Sequence, residues 1–227
     1  MRPFPTGKLS IKTINMTREK IQKVFIYSVI IFFALAILAI IAYFVFSYLR
    51  WQGYRNNPDQ QRFVAQIEEI QAKKDKTGDD LLTLGNAYYH LGENHLAISV
   101  YKKALETEAR DVAGLNLVNA YIAVKEYKKA ESRLLYILKE KNYGDTSLYI
   151  KLADLYRLDW RGKGDDTLGI LMEAYNKMPT SIDIITRIAD YYAEIGQNEW
   201  AIEYYKNALE FQPDNESIKQ EIERLSQ

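Results

Sequence analysis

The longest hydrophobic segment of the chain is residues 24–49, which contain no charge, proline or glycine. A helix of these 26 residues is about 39 Å long, against a bilayer core of about 30 Å. A buried core helix would need apolar surroundings on every side, and a cleaved signal peptide has a hydrophobic region of only about 7–15 residues. The segment therefore predicts one transmembrane helix.

A shorter amphipathic pattern follows in residues 50–77. Gly53 is typical of a turn, and Pro58 is suited to the first position of a helix. Beyond it, Phe63, Ile67 and Ile70 recur at helical spacing on one face. We expect a linker and then an amphipathic helix, which either packs on the following domain or forms a flexible stalk.

From residue 78 onward, small and large side chains recur at a regular long spacing. Tyr121 follows Tyr88, and Ala130 follows Ala97, by the same number of residues. Three further pairs share a second, almost equal interval: Leu171 and Tyr205, Ala174 and Ala208, and Pro179 and Pro213. Alanine lets paired helices approach closely, and tyrosine or leucine fills the space beside the crossing. The pattern predicts stacked helical hairpins.

These residues resemble the tetratricopeptide repeat, whose pattern runs W-x2-L-G-x2-Y, then A, F or Y, A and P. The fourth repeat has a residue of the same kind at every position of this pattern: Ile185, Ile188, Ala189, Tyr192, Ala201, Tyr205, Ala208 and Pro213. The resemblance covers residues 78–213 and implies an all-α fold. In that fold the transmembrane helix precedes an α-solenoid of about four hairpins, residues 78–110, 111–145, 146–181 and 182–213, closed by a capping helix over residues 214–227.

The third repeat departs from the pattern in two ways. It has about two extra residues in its internal turn, DWRGKGDD, and Thr167 stands where alanine is usual. We expect a longer loop to project there, with Trp160, Arg161 and Lys163 as a candidate peripheral site. The simpler interpretation is a change in loop length without function.

In relatives with this repeat, the first helix of each hairpin lines a concave groove that holds a peptide or a partner helix. The resemblance therefore implies a peptide-binding groove. Its candidate residues are Leu82, Asn86, Tyr89, His90, Asn116, Asn119, Ile122, Lys151, Asp154, Arg157, Thr186, Arg187 and Asp190.

Asn86 and Asn116 stand where chaperone-binding relatives hold a peptide main chain. Lys151 stands where those relatives have arginine. Leu82 and Ser147 replace the two lysines that grip a carboxylate terminus there, so the resemblance does not extend to a carboxylate clamp. A hydrogen bond between helices is the structural alternative for each asparagine.

The charge of the chain is distributed unevenly, although its 30 basic and 30 acidic residues balance. Residues 1–23 contain six basic side chains and one acidic one, which leaves an excess of five acidic residues in the rest. The basic segment favours a cytoplasmic N-terminus and an extracytoplasmic repeat domain, although Arg50, Arg55 and Arg62 reduce the asymmetry. The acidic remainder argues against nucleic-acid binding.

The sequence contains no recognisable catalytic motif. It has no cysteine, only His90 and His95 as histidines, and none of the glycine-rich phosphate or nucleophile motifs. We therefore expect no metal, cofactor or enzymatic activity, and interpret the chain as a single-pass bacterial scaffold or adaptor that binds a protein or peptide. A cytosol-facing receptor is the alternative, and an unrecognised enzyme is a weaker one; the oligomeric state stays open.

Overall fold

The computed structural model describes residues 18–140, 144–160 and 162–227, and these residues form helices and no strands. The chain divides into two units, Met1–Asn57 and Pro58–Gln227. The helices are α1 (Arg18–Asn56), α2 (Pro58–Ala72), α3 (Gly78–His90), α4 (Asn94–Ala104), α5 (Arg110–Ala123), α6 (Tyr127–Glu140), α7 (Thr146–Asp154), α8 (Thr167–Lys177), α9 (Ile182–Glu194), α10 (Asn198–Phe211) and α11 (Glu216–Leu225). The prediction of an all-α fold is confirmed for the described residues.

Helix α1 contains the hydrophobic segment and extends beyond it at both ends. By length and composition it is able to cross a membrane, and its most apolar window is not buried against any other described part of the chain. The expectation of a linker from residue 50 is wrong up to Asn56, because α1 continues through Gly53. A single helical glycine costs only about 1 kcal/mol, which neighbouring helical residues offset. Of the basic segment, residues 1–17 lie outside the described residues.

Helix α2 begins at Pro58 and packs against α3. Val64, Ile67 and Ile70 are buried on its inner face. At its C-terminal end, the Gln71 side-chain amide donates to the Tyr88 hydroxyl at 2.7 Å. Helix α2 is therefore part of the repeat domain and not a flexible stalk.

The next eight helices form four antiparallel hairpins, α3/α4, α5/α6, α7/α8 and α9/α10, each packed on the next. First helices also contact one another, α3 with α5 and α7 with α9. Helix α11 packs on α10 through Ile218 and Leu225, and the Asn215 side chain caps its N-terminus by accepting from the Ile218 amide at 3.2 Å. Burial of one face of each hairpin by its neighbour produces a continuous core.

Small residues lie where the helices of a hairpin cross. In the first repeat, the ring of Tyr101 on α4 lies directly over Gly85 on α3, and a Cβ at Gly85 would be only 2.4 Å from Cε1 of that ring. Tyr101 is 1% exposed, and Ala97 and Ala104 on the same helix are fully buried. The bare backbone at Gly85 therefore sets how closely α3 and α4 approach.

Three of the four hairpins close with the same turn. Gly92, Lys125 and Gly196 occupy its left-handed position, with φ of 76°, 61° and 75°. In each turn the next residue's amide bonds back to the carbonyl of a tyrosine, as from Glu93 to Tyr88 at 2.9 Å. This pattern satisfies carbonyls at the helix end and needs a residue that tolerates positive φ.

The third hairpin replaces this turn with one turn of π-helix, Leu155–Asp159, followed by a short 3-10 turn, Gly164–Asp166. The Trp160 amide closes the π-turn on the Leu155 carbonyl at 2.9 Å. Thr167 takes the alanine position, where it is buried and its Oγ1 makes no hydrogen bond within the described part of the chain. The extra residues are thus wound partly into helix and do not all project as a loop.

Replacing Gly85 with alanine should lower the free energy of unfolding by about 2 kcal/mol, because the new methyl group collides with a fully buried ring. The measurement is urea unfolding of the full chain in detergent, monitored by far-ultraviolet circular dichroism. Gly169→Ala is the matched control. A Cβ at this helical glycine meets nothing within 4 Å, so stability should rise by about 0.5–1 kcal/mol. Equal effects of the two substitutions would contradict the close crossing.

Replacing Lys125 with glycine should raise the free energy of unfolding by about 0.5–1 kcal/mol, because a left-handed conformation costs an L-residue about 1–2 kcal/mol. The reverse exchange, Gly196→Lys, should destabilise the protein by a similar or larger amount in the same urea titration. A loss of stability in Lys125→Gly would show that its side chain contributes more than the strained backbone costs.

A candidate peptide-binding groove

The first two repeats form a depression of about 370 Å³ between α3 and α5, with α4 beneath it. Five of the residues predicted for the groove line it: Asn86, Tyr89, His90, Asn116 and Asn119. Tyr101 and Val112 complete the lining, and the repeat pattern did not predict either of them as a site residue. We call this surface the inner depression.

Two asparagines are hydrogen-bonded to each other across the inner depression. The Asn116 Nδ2 donates to Asn86 Oδ1 at 3.0 Å, and the Tyr101 hydroxyl donates to the same oxygen at 2.7 Å. The helix-to-helix hydrogen bond that was the structural alternative is therefore present. It leaves the Asn86 amide protons and the Asn116 side-chain oxygen without a partner among the described residues.

The tyrosine beneath this pair is a fixed donor. Burial raises the pKa of the Tyr101 hydroxyl well above its ordinary value, so the group stays protonated at neutral pH. The fourth repeat has the same arrangement, with the Tyr205 hydroxyl donating to Asp190 Oδ1 at 2.6 Å. The pKa of Tyr205 is likewise raised, first by burial and then by that bond. Each tyrosine holds one first-helix side chain in a defined orientation.

The neighbouring helix α2 covers one side of His90. The Phe63 ring stacks on the imidazole with centroids 4.8 Å apart and planes 14° from parallel. Tyr89 meets the imidazole edge-on, with centroids 6.1 Å apart. Helix α2 therefore contributes directly to the edge of the inner depression.

The predicted residues of the last two repeats form a chain of ion pairs instead. Arg157 pairs with Glu194 and, at 3.4 Å, with Asp154. Arg187 reaches the other oxygen of Asp154 at 3.5 Å and Asp190 at 3.9 Å. The hydrogen bond to Glu194, opposed in part by burial, raises the pKa of Arg157 above its ordinary value. These charges are largely neutralised by ion pairs within the protein, whereas the Asn86 amide protons of the inner depression have no partner among the described residues.

Four predicted residues belong to neither group. Leu82, Ile122 and Lys151 are half-buried, and Lys151 forms no ion pair with the described residues. The Thr186 hydroxyl donates to its own helix, at 2.8 Å to the Ile182 carbonyl. The structure thus does not unite all thirteen candidates in one site.

The candidate peripheral site of the third repeat is folded against the domain. Trp160 stacks on Tyr127 at 6.1 Å and meets Tyr156 edge-on at 6.2 Å. The Lys163 ammonium lies over both the Tyr156 and Trp160 rings and pairs with Asp166 at 2.8 Å. Arg161 lies outside the described residues. The expectation that Trp160 and Lys163 project is therefore wrong, because ring packing holds them.

Comparison with known structures places the fold among repeat proteins. The crystal structure of MamA aligns over 72% of this chain and 94% of its own, with a TM-score of 0.50 and 23% identity. A protein described as a kinesin light chain of Podospora anserina, with nearly identical TPR-like repeats, aligns over 73% of this chain and 93% of its own. Its TM-score is 0.54 and its identity is 18%. These likenesses concern the fold alone.

Sequence comparisons agree with the repeat pattern. The BBSome complex member BBS4 of Bos taurus is 28% identical over 138 residues, which are 60% of this chain and 26% of that protein. The chain thus spans about a quarter of the length of this curated relative. A family model for the tetratricopeptide repeat matches residues 81–111 and 182–215. The match supports the prediction of such repeats at the first and fourth hairpins.

Proposed function

We propose that the protein is a membrane-anchored scaffold or adaptor whose repeats bind a peptide segment of a partner protein in the inner depression. The observation that carries this proposal is the asparagine pair. It presents amide donors at Asn86 and an acceptor oxygen at Asn116 side by side. A peptide group offers one acceptor and one donor, so the pair complements a peptide main chain.

The surroundings of the pair support a peptide ligand. Tyr89 and the exposed Val112 supply apolar walls for side chains, and Asn119 adds a further amide. The Tyr101 hydroxyl fixes the Asn86 carbonyl, so less side-chain entropy is lost on binding. The curated relative is a member of a protein complex, which is in keeping with a role in protein assembly.

The proposed anchor is α1, oriented with the basic N-terminal segment in the cytoplasm and the repeats outside a bacterial cell membrane. Its exposed apolar surface and length support a spanning helix. Arg50, Arg55 and Arg62, which follow the apolar segment, favour the reverse orientation, a cytosol-facing receptor. The two orientations make opposite predictions for protease access.

A photoreactive residue in place of Asn119 should crosslink a discrete partner polypeptide in native membranes, and the same residue in place of Lys206 on α10 should not. Asn116→Ala in the Asn119 variant should reduce the crosslinked product about tenfold, because it removes one hydrogen bond to the ligand and loosens Asn86. Asn116 is the suitable choice, since replacing Asn86 would leave the buried Tyr101 hydroxyl without its acceptor.

Asn198→Ala, at the exposed start of α10, is the matched control for Asn116→Ala and should leave the crosslink unchanged. Equal recovery from the Asn119 and Lys206 positions would exclude the inner depression as the binding site. So would a crosslink from Asn119 that is insensitive to Asn116→Ala.

Protease added to spheroplasts should degrade the repeat domain, and the domain should be protected in inverted membrane vesicles. The readout is an immunoblot against a tag at the C-terminus, with detergent-treated samples as the control for intrinsic protease sensitivity. The opposite pattern would assign the protein to the cytosol-facing alternative. Release of the chain by alkaline carbonate would contradict a spanning α1.

A further inference from the structure

A second depression, of about 420 Å³, lies between α4 and α6 over α5. Leu117 and Tyr121 of α5 line it, whereas Asn116 and Asn119 of the same helix line the inner depression. At 100° per residue these two pairs project from different sides of α5. We call this second surface the outer depression.

Cations surround two tyrosine rings at the outer depression. Lys102 and Lys129 lie 6.0 and 5.7 Å from the centroid of Tyr121. Arg110 and Arg133 lie 5.8 and 5.0 Å from the centroid of Tyr136, and Arg110 also donates to the Tyr136 hydroxyl. Each ring thus has two cationic side chains beside it.

These charges are poorly matched by carboxylates of the protein. Lys129 pairs with Glu126 at 2.8 Å, but Lys102, Arg110 and Arg133 form no ion pair within the described part of the chain. Asp111 and Glu140 line an adjoining depression of about 180 Å³ with the two arginines. Asp111 attracts Arg133 electrostatically, but neither acid forms an ion pair with either arginine. Lys102 and Arg133 therefore line the outer depression, and Arg110 lines the adjoining one, without an ion pair to a carboxylate of residues 18–140, 144–160 or 162–227.

The fold holds the Arg133 side chain in a position where it forms no ion pair with a described carboxylate. Its guanidinium lies on the bare backbone of α5 at Gly114, where a Cβ would be 2.8 Å from Nη2. Its Nε is shielded from water and makes no hydrogen bond to any residue that the structure describes. Partial burial, with a smaller contribution from Arg110, lowers the pKa of Arg133 below its ordinary value. An anion beside the guanidinium would offset the repulsion between the two arginines.

We propose that the outer depression is a second binding site, which takes an acidic peptide segment of a partner protein through successive carboxylate side chains. The cations form two pairs around two separate rings, so they fit two carboxylates along a chain better than one phosphate group. The rings of Tyr121 and Tyr136 line the depression and supply apolar contacts for individual side chains of such a segment. This proposal does not rest on the function of the inner depression.

The test uses the full chain in phosphatidylcholine nanodiscs and a fluorescent peptide of alternating glutamate and glycine. The wild type should bind this peptide and not its glutamine counterpart. The double variant Arg110→Gln, Arg133→Gln should bind the glutamate peptide at least about tenfold more weakly, because two charge-assisted contacts are lost. Circular dichroism of this variant should show the wild-type helix content. Binding is measured well below its unfolding temperature, because the lost contacts with Tyr136 lower its stability.

Lys102 and Lys206 provide a matched pair, because each follows the equivalent tyrosine, Tyr101 or Tyr205, in its repeat. Lys102→Gln should weaken peptide binding about threefold, and Lys206→Gln should have no effect. Equal effects of the two variants, or full binding by the double arginine variant, would overturn the proposal.

Two competing ligands give further outcomes. Displacement of the glutamate peptide by equimolar inorganic phosphate would assign the site to a single phosphate group and overturn the proposal. Arginine-dependent sedimentation of the nanodisc-held protein with phosphatidylserine vesicles, without peptide binding, would identify a lipid surface instead.

Discussion

The close approach of helices at small residues is the constraint on which the repeat domain depends. At Gly85 there is no space for even one methyl group, because the buried Tyr101 ring occupies it. The same ring carries a hydroxyl that reaches past the crossing to Asn86 and fixes the asparagine pair. One tyrosine therefore sets the spacing of a hairpin and the geometry of its binding surface. In the fourth repeat, Tyr205 fixes Asp190 in the same way.

The hairpins could be predicted because their determinants are local in sequence. Alanines and tyrosines that recur at nearly the same interval along the chain specify which faces meet, and Pro58 marks the start of α2. The side-chain pairing could not be read in the same way. Asn86 and Asn116 belong to different hairpins, and both a ligand contact and a mutual hydrogen bond were consistent with their types. Only the distance between α3 and α5 shows that the mutual bond forms.

The ion pairs of the last two repeats were missed for a related reason. Arg157 and Arg187 are neutralised by acids of the same stack, and those acids lie in two different hairpins. Spacing along the chain identifies neighbours within one helix, but it does not fix which side chains of successive hairpins meet. The packing of α7 against α9 decides that.

The first two repeats differ from the last two in how their polar groups are used. In the first half, amides face the inner depression and cations without a carboxylate partner among the described residues face the outer one. In the second half, carboxylates and guanidinium groups satisfy one another. Such surface ion pairs contribute little to stability, about 0–1 kcal/mol each, but they leave few charges for a ligand. Both proposed binding surfaces consequently share the same short stretch of the stack, on different sides of α5.

The π-turn at Leu155–Asp159 shows where this architecture accepts extra length. The inserted residues are taken up at the edge where two helices of one hairpin join, and Leu171 and Ala174 still reach full burial beyond it. A residue added inside a helix would instead rotate every later side chain by about 100° and separate small residues from the rings above them. Length variation in related chains should therefore accumulate at this edge. The contacts between hairpins would then be unchanged while the turns at the edge differ in length and sequence.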